Sequence, residues 1–177
     1  MTNKIAVLDV DGTLFDFHRP LHRLLHELYG TPVELQKTWD WHKKYITDAE
    51  FYAAVHQIHE DQMNSEPFDG AAELCDTLIS VGYDIVVASH RRVGAAADLA
   101  AWITIKVTDK FAGIYAGPDK TFLITEGSLV IDDNPKTIGY AIRAGATSWT
   151  LMWPWNMATN ARKFKNLDVM ARMAKKL

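Results

Sequence analysis

The 177-residue chain has one cysteine, Cys75, so no intrachain disulfide can form. That usage fits a reducing, cytoplasmic setting. No apolar run approaches the roughly 18 residues needed to cross a bilayer. The first apolar run, 5–8, stops at Asp9 and is too short for a signal-peptide core, so no membrane partner is expected. Neither sign of charge dominates: 19 Lys and Arg face 22 Asp and Glu, a net charge of −3. With a pI near 6.1, the electrostatic case for a nucleic-acid duplex falls away. Repeats and low-complexity tracts are also missing. What the chain has is apolar content, 48% against 23% charged, the balance of a globular protein rather than a disordered one. Its length suits one domain with a small insert.

Runs 5–8, 84–88, 129–131 and 148–152 read as short buried strands, and 110–116 is an ambiguous fifth. Between them lie helical patterns. One opens at Pro20 and closes at Gly30, with Leu21, Leu24, Leu25 and Leu28 on one face. A second runs from an Asp48 N-cap to about Gln62. Further helices end near Gly82, Ile103 and Gly145. The basic residues Arg162, Lys163, Lys165, Arg172, Lys175 and Lys176 are assigned to the neighbourhood of a final helix, where cations suit the C-terminus. Strands alternating with helices predict an α/β fold, a Rossmann-like parallel sheet with helices on both faces. Residues 18–66 break the alternation. They are expected to form a small helical cap inserted after the first strand, leaving 1–17 and 67–177 as the core.

Ligands of open α/β sheets bind at the carboxyl ends of the strands. Three predicted strands end there in polar residues: Asp9 and Asp11, Ser89, and Asp132 with Asp133. Asp9 and Asp11 share a side in an extended backbone, and Gly12 lets the chain turn away. Four converging carboxylates are tolerable only around a cation. Oxygen ligands without convergent Cys or His favour Mg²⁺. His18, His22 and His26, and likewise His56 and His59, recur at helical spacing. They are read as solvated helix faces, and Cys75 as a small core residue.

The stretch Asp9-Val10-Asp11-Gly12-Thr13 resembles the DxDGT/V signature of haloacid dehalogenase-like phosphohydrolases. Ser89, Lys120 and Asp132-Asp133 follow in that superfamily's order. A narrower similarity is to the 5′(3′)-deoxyribonucleotidases. It rests on Asp16-Phe17, the aromatic segment Thr38-Trp39-Asp40-Trp41-His42-Lys43-Lys44-Tyr45, Asp119-Lys120-Thr121, and Trp153-Pro154-Trp155-Asn156. One departure stands at the second motif, commonly Thr-Ser-Pro in that family and here Ser89-His90-Arg91.

The resemblance implies a Mg²⁺-dependent hydrolysis of (deoxy)nucleoside monophosphates through an aspartyl phosphate. Asp9 would be the nucleophile and Asp11 the acid and base, with a raised pKa. Lys120 and Ser89 would hold the phosphoryl oxygens. Mg²⁺ would bind Asp9, the backbone carbonyl of Asp11 and one of the acidic pair, Asp133 ahead of Asp132. Phe17, Trp39, Trp41 and His90 are the candidate contacts to a small-molecule phosphomonoester, and a homodimer is left open. Two alternatives stand beside this reading: a phosphatase for another phosphoester such as a sugar phosphate, and a non-catalytic phospholigand-binding protein.

Overall fold

The computed structural model describes residues 4–92 and 94–177. Six strands form one sheet: β1 (Lys4–Leu8), β2 (Tyr83–Ser89), β3 (Gly113–Ala116), β4 (Leu129–Ile131), β5 (Thr147–Leu151) and β6 (Arg162–Phe164). Their order is β3-β2-β1-β4-β5-β6, and every pairing is parallel. The helices are α1 (His18–Tyr29), α2 (Asp48–Glu60), α3 (Ala71–Ser80), α4 (Ala96–Lys106), α5 (Pro135–Arg143) and α6 (Leu167–Ala174).

Period-two alternation distributes the strand side chains between two layers. Ala6, Leu8, Ile85, Val87, Leu129 and Ile131 join a large core with α3, α4 and α6. Val7, Ala88 and Val130 face the other way, onto Ala141 of α5. The central strands are therefore buried on both faces, which is why they read as continuous apolar runs. From β1 the chain steps outward to β2 and β3, then returns to β4 on β1's other side. That reversal between β1 and β4 is where such sheets open a crevice.

Between β1 and α3 the chain adds no strand to the sheet. It supplies α1, a 3₁₀ turn at Trp41–Lys44, α2 and a second 3₁₀ turn at Gln62–Asn64. Helix α1 begins at His18, two residues before Pro20, whose missing N–H falls in the first turn where no intrahelical partner exists. Gly30 ends it in the left-handed region, its N–H donating to His26 O at 2.8 Å. The cap of α2 is Thr47, not Asp48. Thr47 Oγ1 accepts from the Glu50 N–H at 3.3 Å, and Glu50 Oε2 accepts from the Thr47 N–H at 2.8 Å. This reciprocal pair satisfies two orphan donors, where Asp48 alone would satisfy one.

The basic tail also differs from expectation. Arg162-Lys163-Phe164 forms β6, and α6 starts only at Leu167. Two cations in three residues give no strand pattern, yet they suit an edge strand because they discourage further pairing. The ambiguous 110–116 run resolves as β3, the opposite edge. Cys75 is buried, and burial, then Asp76, pushes its thiol up to about 12.

Of the three histidines of α1, His26 is exposed as expected, but His18 and His22 turn inward. His22 is buried and stacks on Trp41 with centroids 4.2 Å apart. Its Nδ1 lies 3.3 Å from Pro32 O, and among the described residues its Nε2 has no partner. Burial holds its pKa down at about 4, against an unfolded value of about 6.5. A depressed folded-state value stabilises the fold above the unfolded pKa. That contribution is lost as pH falls from about 6.5 towards 4. The urea midpoint is therefore expected to drop between pH 7 and pH 5, and the drop is expected to shrink in His22→Phe. An identical pH slope in the variant would remove His22 as the cause.

Candidate active site

Asp9 leaves the carboxyl end of β1, its N–H donating to Ile131 O of β4 at 2.9 Å. Its carboxylate is buried at the floor of a cavity of about 630 Å³. Val10 O accepts from the N–H groups of Thr13 and Leu14 at 3.1 and 2.8 Å. Gly12 turns this loop at φ +75°. A Cβ there would meet His18 Nε2 at 2.5 Å and Asp133 Oδ2 at 2.7 Å, so space as well as φ demands glycine.

Lys120 lies in the connection from edge strand β3 to β4, just before the 3₁₀ turn Thr121–Leu123. Its Nζ lies 2.5 Å from Asp9 Oδ1 and 2.7 Å from Asp132 Oδ2, and donates to Ala88 O at 3.2 Å. Burial alone would lower the Lys120 pKa; Asp132 and Asp9 outweigh it and raise the value above that of a free lysine. The acidic pair follows β4. Asp132 Oδ1 accepts from the Asn134 N–H at 2.8 Å, and Asn134 in turn caps α5.

Among the described residues, Asp9, Asp132 and Asp133 offer carboxylate oxygens within 4.8 Å of one another, all three buried. One ammonium faces these three acids. Burial pushes the Asp9 carboxyl well up, Lys120 opposes this, and Asp132, Asp133 and Asp11 add to the rise. Asp133 is raised by burial and then by Asp132. Uncompensated buried charge of this kind fits a hard divalent cation, and an all-oxygen donor set fits Mg²⁺.

Asp11 departs from expectation. Its side chain belongs to a separate cluster, with His59 Nε2 at 3.0 Å and the Ser89 hydroxyl donating at 3.0 Å, both to Oδ2. Arg91 donates to Oδ1 at 2.9 Å and, through Nε, to Ser89 Oγ at 3.0 Å. Burial would raise the Asp11 pKa, but Arg91, then His59 and Ser89, hold it well below the usual carboxylate range. The expected elevation is thus reversed, because neighbouring cations rather than neighbouring acids dominate its surroundings.

Of the remaining sequence-derived residues, Phe17, Trp39, Trp41 and His90 border the cavity, and Ser89 lies behind its wall. Ser89 ends β2 fully buried. His90 is exposed, its ring 6.5 Å from that of Tyr52 and within 15° of parallel. Trp39 is half-buried beside Trp155. Phe17 and Trp41 are largely packed away, Phe17 against Phe15 and His59, and Trp41 on His22. Two other lysines upstream of the acidic pair, Lys110 and Lys106, pair instead with Asp76 and Glu66 on the surface.

Three residues at the site escaped the sequence reading. His18 and His59, expected on solvated faces, reach Asp133 and Asp11 from α1 and α2. Arg91 was legible only as a departure from the family's second motif. Helical spacing shows which histidines share a face, but not what that face meets across the fold.

No family model and no curated protein sequence matches the chain. Solved structures do. A haloacid dehalogenase-like hydrolase from Streptococcus pneumoniae is 20% identical, with 98% of this chain and 100% of that one covered at a TM-score of 0.64. CbbY from Rhodobacter sphaeroides, in complex with phosphate, is 15% identical, with 99% and 100% covered at 0.67. A candidate β-phosphoglucomutase from Thermotoga maritima is 15% identical, with 98% and 99% covered at 0.65. The chain has the haloacid dehalogenase-like fold. Identities this low speak for the architecture only: a six-stranded parallel sheet, with Asp9 and the acidic pair after its two central strands. Among the described residues no helix is long and apolar enough to cross a membrane.

Proposed function

We propose that this chain is a Mg²⁺-dependent phosphomonoesterase whose nucleophile is Asp9. One observation carries the reading: a buried aspartate after the first strand, held by Lys120 and within 4.8 Å of Asp132 and Asp133, at the floor of a cavity. Asp9 attacks phosphorus, the bond to the leaving oxygen breaks, and water then releases phosphate from the aspartyl phosphate. Lys120 holds phosphoryl charge as it develops, and Ser89 and Arg91 orient the other oxygens. The hydrogen-bonded Asp11–His59 pair hands a proton to the leaving oxygen and takes one back from water. Asp9 and Asp133, with Asp132 behind them, would hold Mg²⁺, which supplies Lewis-acid charge neutralisation. Residues 18–66 act as a cap that covers the cavity and excludes water.

For the leaving group, the sugar-phosphate reading is supported first, since proteins of this fold include one named for β-phosphoglucomutase chemistry. The nucleotide reading stands second and rests on the rings around the cavity, in particular His90 and Tyr52 standing nearly parallel, a setting in which a base stacks. A panel of sugar phosphates, phospho-acids and nucleoside monophosphates, scored as Mg²⁺-dependent phosphate release, tests both. Release from one class at least tenfold above the others assigns it. No release from any member, with phosphate still bound, would favour a non-catalytic phospholigand protein.

A further inference from the structure

From the 18–66 segment, His18 reaches the three-carboxylate cluster with a polar contact. Its Nε2 lies 2.6 Å from Asp133 Oδ2. The contact is built from both sides. Gly12 vacates the space that a Cβ would take from His18 Nε2 and Asp133 Oδ2. The segment after β5 then grips the two flanking backbones: Trp153 Nε1 donates to Gly12 O at 2.7 Å, and Trp155 Nε1 to Asp133 O at 3.2 Å. The imidazole itself is walled by rings, with centroids of Trp155, Trp153 and Trp39 at 4.3, 5.4 and 6.0 Å. A polar ring held this firmly against one oxygen of a buried carboxylate sets that carboxylate's orientation. Hydrogen bonds to the groups that ligate a metal typically govern its affinity.

We propose that His18 is a positioning residue for Asp133, so that the first turn of α1 sets how tightly the carboxylate cluster binds a divalent cation. The proposal rests on the reading of Asp9, Asp132 and Asp133 as a cation site. As the Nε2–H tautomer, His18 donates to Asp133 and leaves the carboxylate's remaining lone pairs for the ion. Because α1 belongs to the 18–66 segment, cation affinity then responds to the placement of that segment over the sheet.

The test uses Mn²⁺ as probe, with free ion counted by electron paramagnetic resonance and binding followed in parallel by tryptophan fluorescence; neither readout needs turnover. Two variants of similar polarity separate position from packing. Gln carries its amide nitrogen near the Nε2 position, and Asn carries it near Nδ1. His18→Asn is expected to weaken Mn²⁺ binding about 10–100-fold, and His18→Gln to stay within about threefold of wild type, with metal-free melting temperatures of the two variants alike. Wild-type affinity in His18→Asn, or equal weakening in both variants, overturns the proposal and leaves the cation site standing. If wild type and Asp133→Asn alike fail to take up Mn²⁺ at millimolar concentration, the cation-site reading itself falls, and this proposal with it. If His18→Asn does not fold, His18→Gln against His18→Leu makes the same comparison.

Discussion

Asp9→Asn is expected to remove Mg²⁺-dependent phosphate release almost entirely, by at least about 10⁴-fold in kcat, because the amide cannot form the covalent bond to phosphorus. The fold is expected to survive. Asp9 is buried among three other acids that push its carboxyl upward, with Lys120 the opposing charge. Replacing it with a neutral isostere removes repulsion from Asp132 and Asp133 while Lys120 keeps its 2.7 Å contact with Asp132. The metal-free melting temperature should therefore stay level or rise slightly, even as activity disappears. Melting curves and single-turnover phosphate release on the same preparation check both halves. A variant that keeps wild-type turnover would end the nucleophile assignment; an inactive variant that is also unfolded would point to a structural role for Asp9.

Lys120→Met has the largest expected effect on stability. The substitution keeps an unbranched stem of similar length and removes the one ammonium placed between Asp9 and Asp132. Removing one partner of a buried ion pair costs about 3–5 kcal/mol, since the acids left behind stay desolvated. For a domain of this size, that corresponds to a loss of about 10 °C in melting temperature. The loss should be smaller with Mg²⁺ present. A cation binding the folded state alone contributes about 2.7 kcal/mol at a hundred times its dissociation constant, and it would face less competing positive charge in the variant. Turnover at saturating Mg²⁺ is expected to fall by about 10²–10³, in line with loss of one donor to developing phosphoryl charge. Thermal melts of wild type and variant, each with EDTA and with Mg²⁺, carry the comparison. Equal metal-free melting temperatures would show that Lys120 is not what holds the acids together.

The two predictions draw on residues of unequal visibility. Asp9 announces itself: an apolar strand that ends in Asp-x-Asp-Gly has a local pattern, and the strand's burial on both faces makes that pattern legible. Asp132 and Asp133 follow a strand for the same reason. Lys120 needed the family resemblance, because it precedes only a short 3₁₀ turn and nothing periodic points to it. The edge strand Arg162–Phe164 was missed because an edge needs backbone donors and acceptors more than apolar side chains. Thr47 lost its capping role to Asp48 in the reading because both are good caps, and only the return bond from Glu50 separates them.

The surroundings of Asp11 make the sharpest contrast. In the chain it stands beside other acids, which argues for a raised pKa; in space it meets Arg91, His59 and Ser89, which lower it. His18 and His59 were assigned to water for an equivalent reason, since each sits on a helix whose partner surface lies far away in sequence.

Residue order alone was enough to establish a parallel α/β sheet and the acids that follow its central strands, because burial leaves a local imprint, continuous apolar runs in the strands and a period of 3.6 in the helices. The charge state of Asp11, the partners of Asp133 and the packing of Trp41 were settled by folding. Electrostatic and packing energies depend on distance through space, and the groups that dominate them, Arg91, His59 and His18, come to their partners from 80, 48 and 115 residues away along the chain.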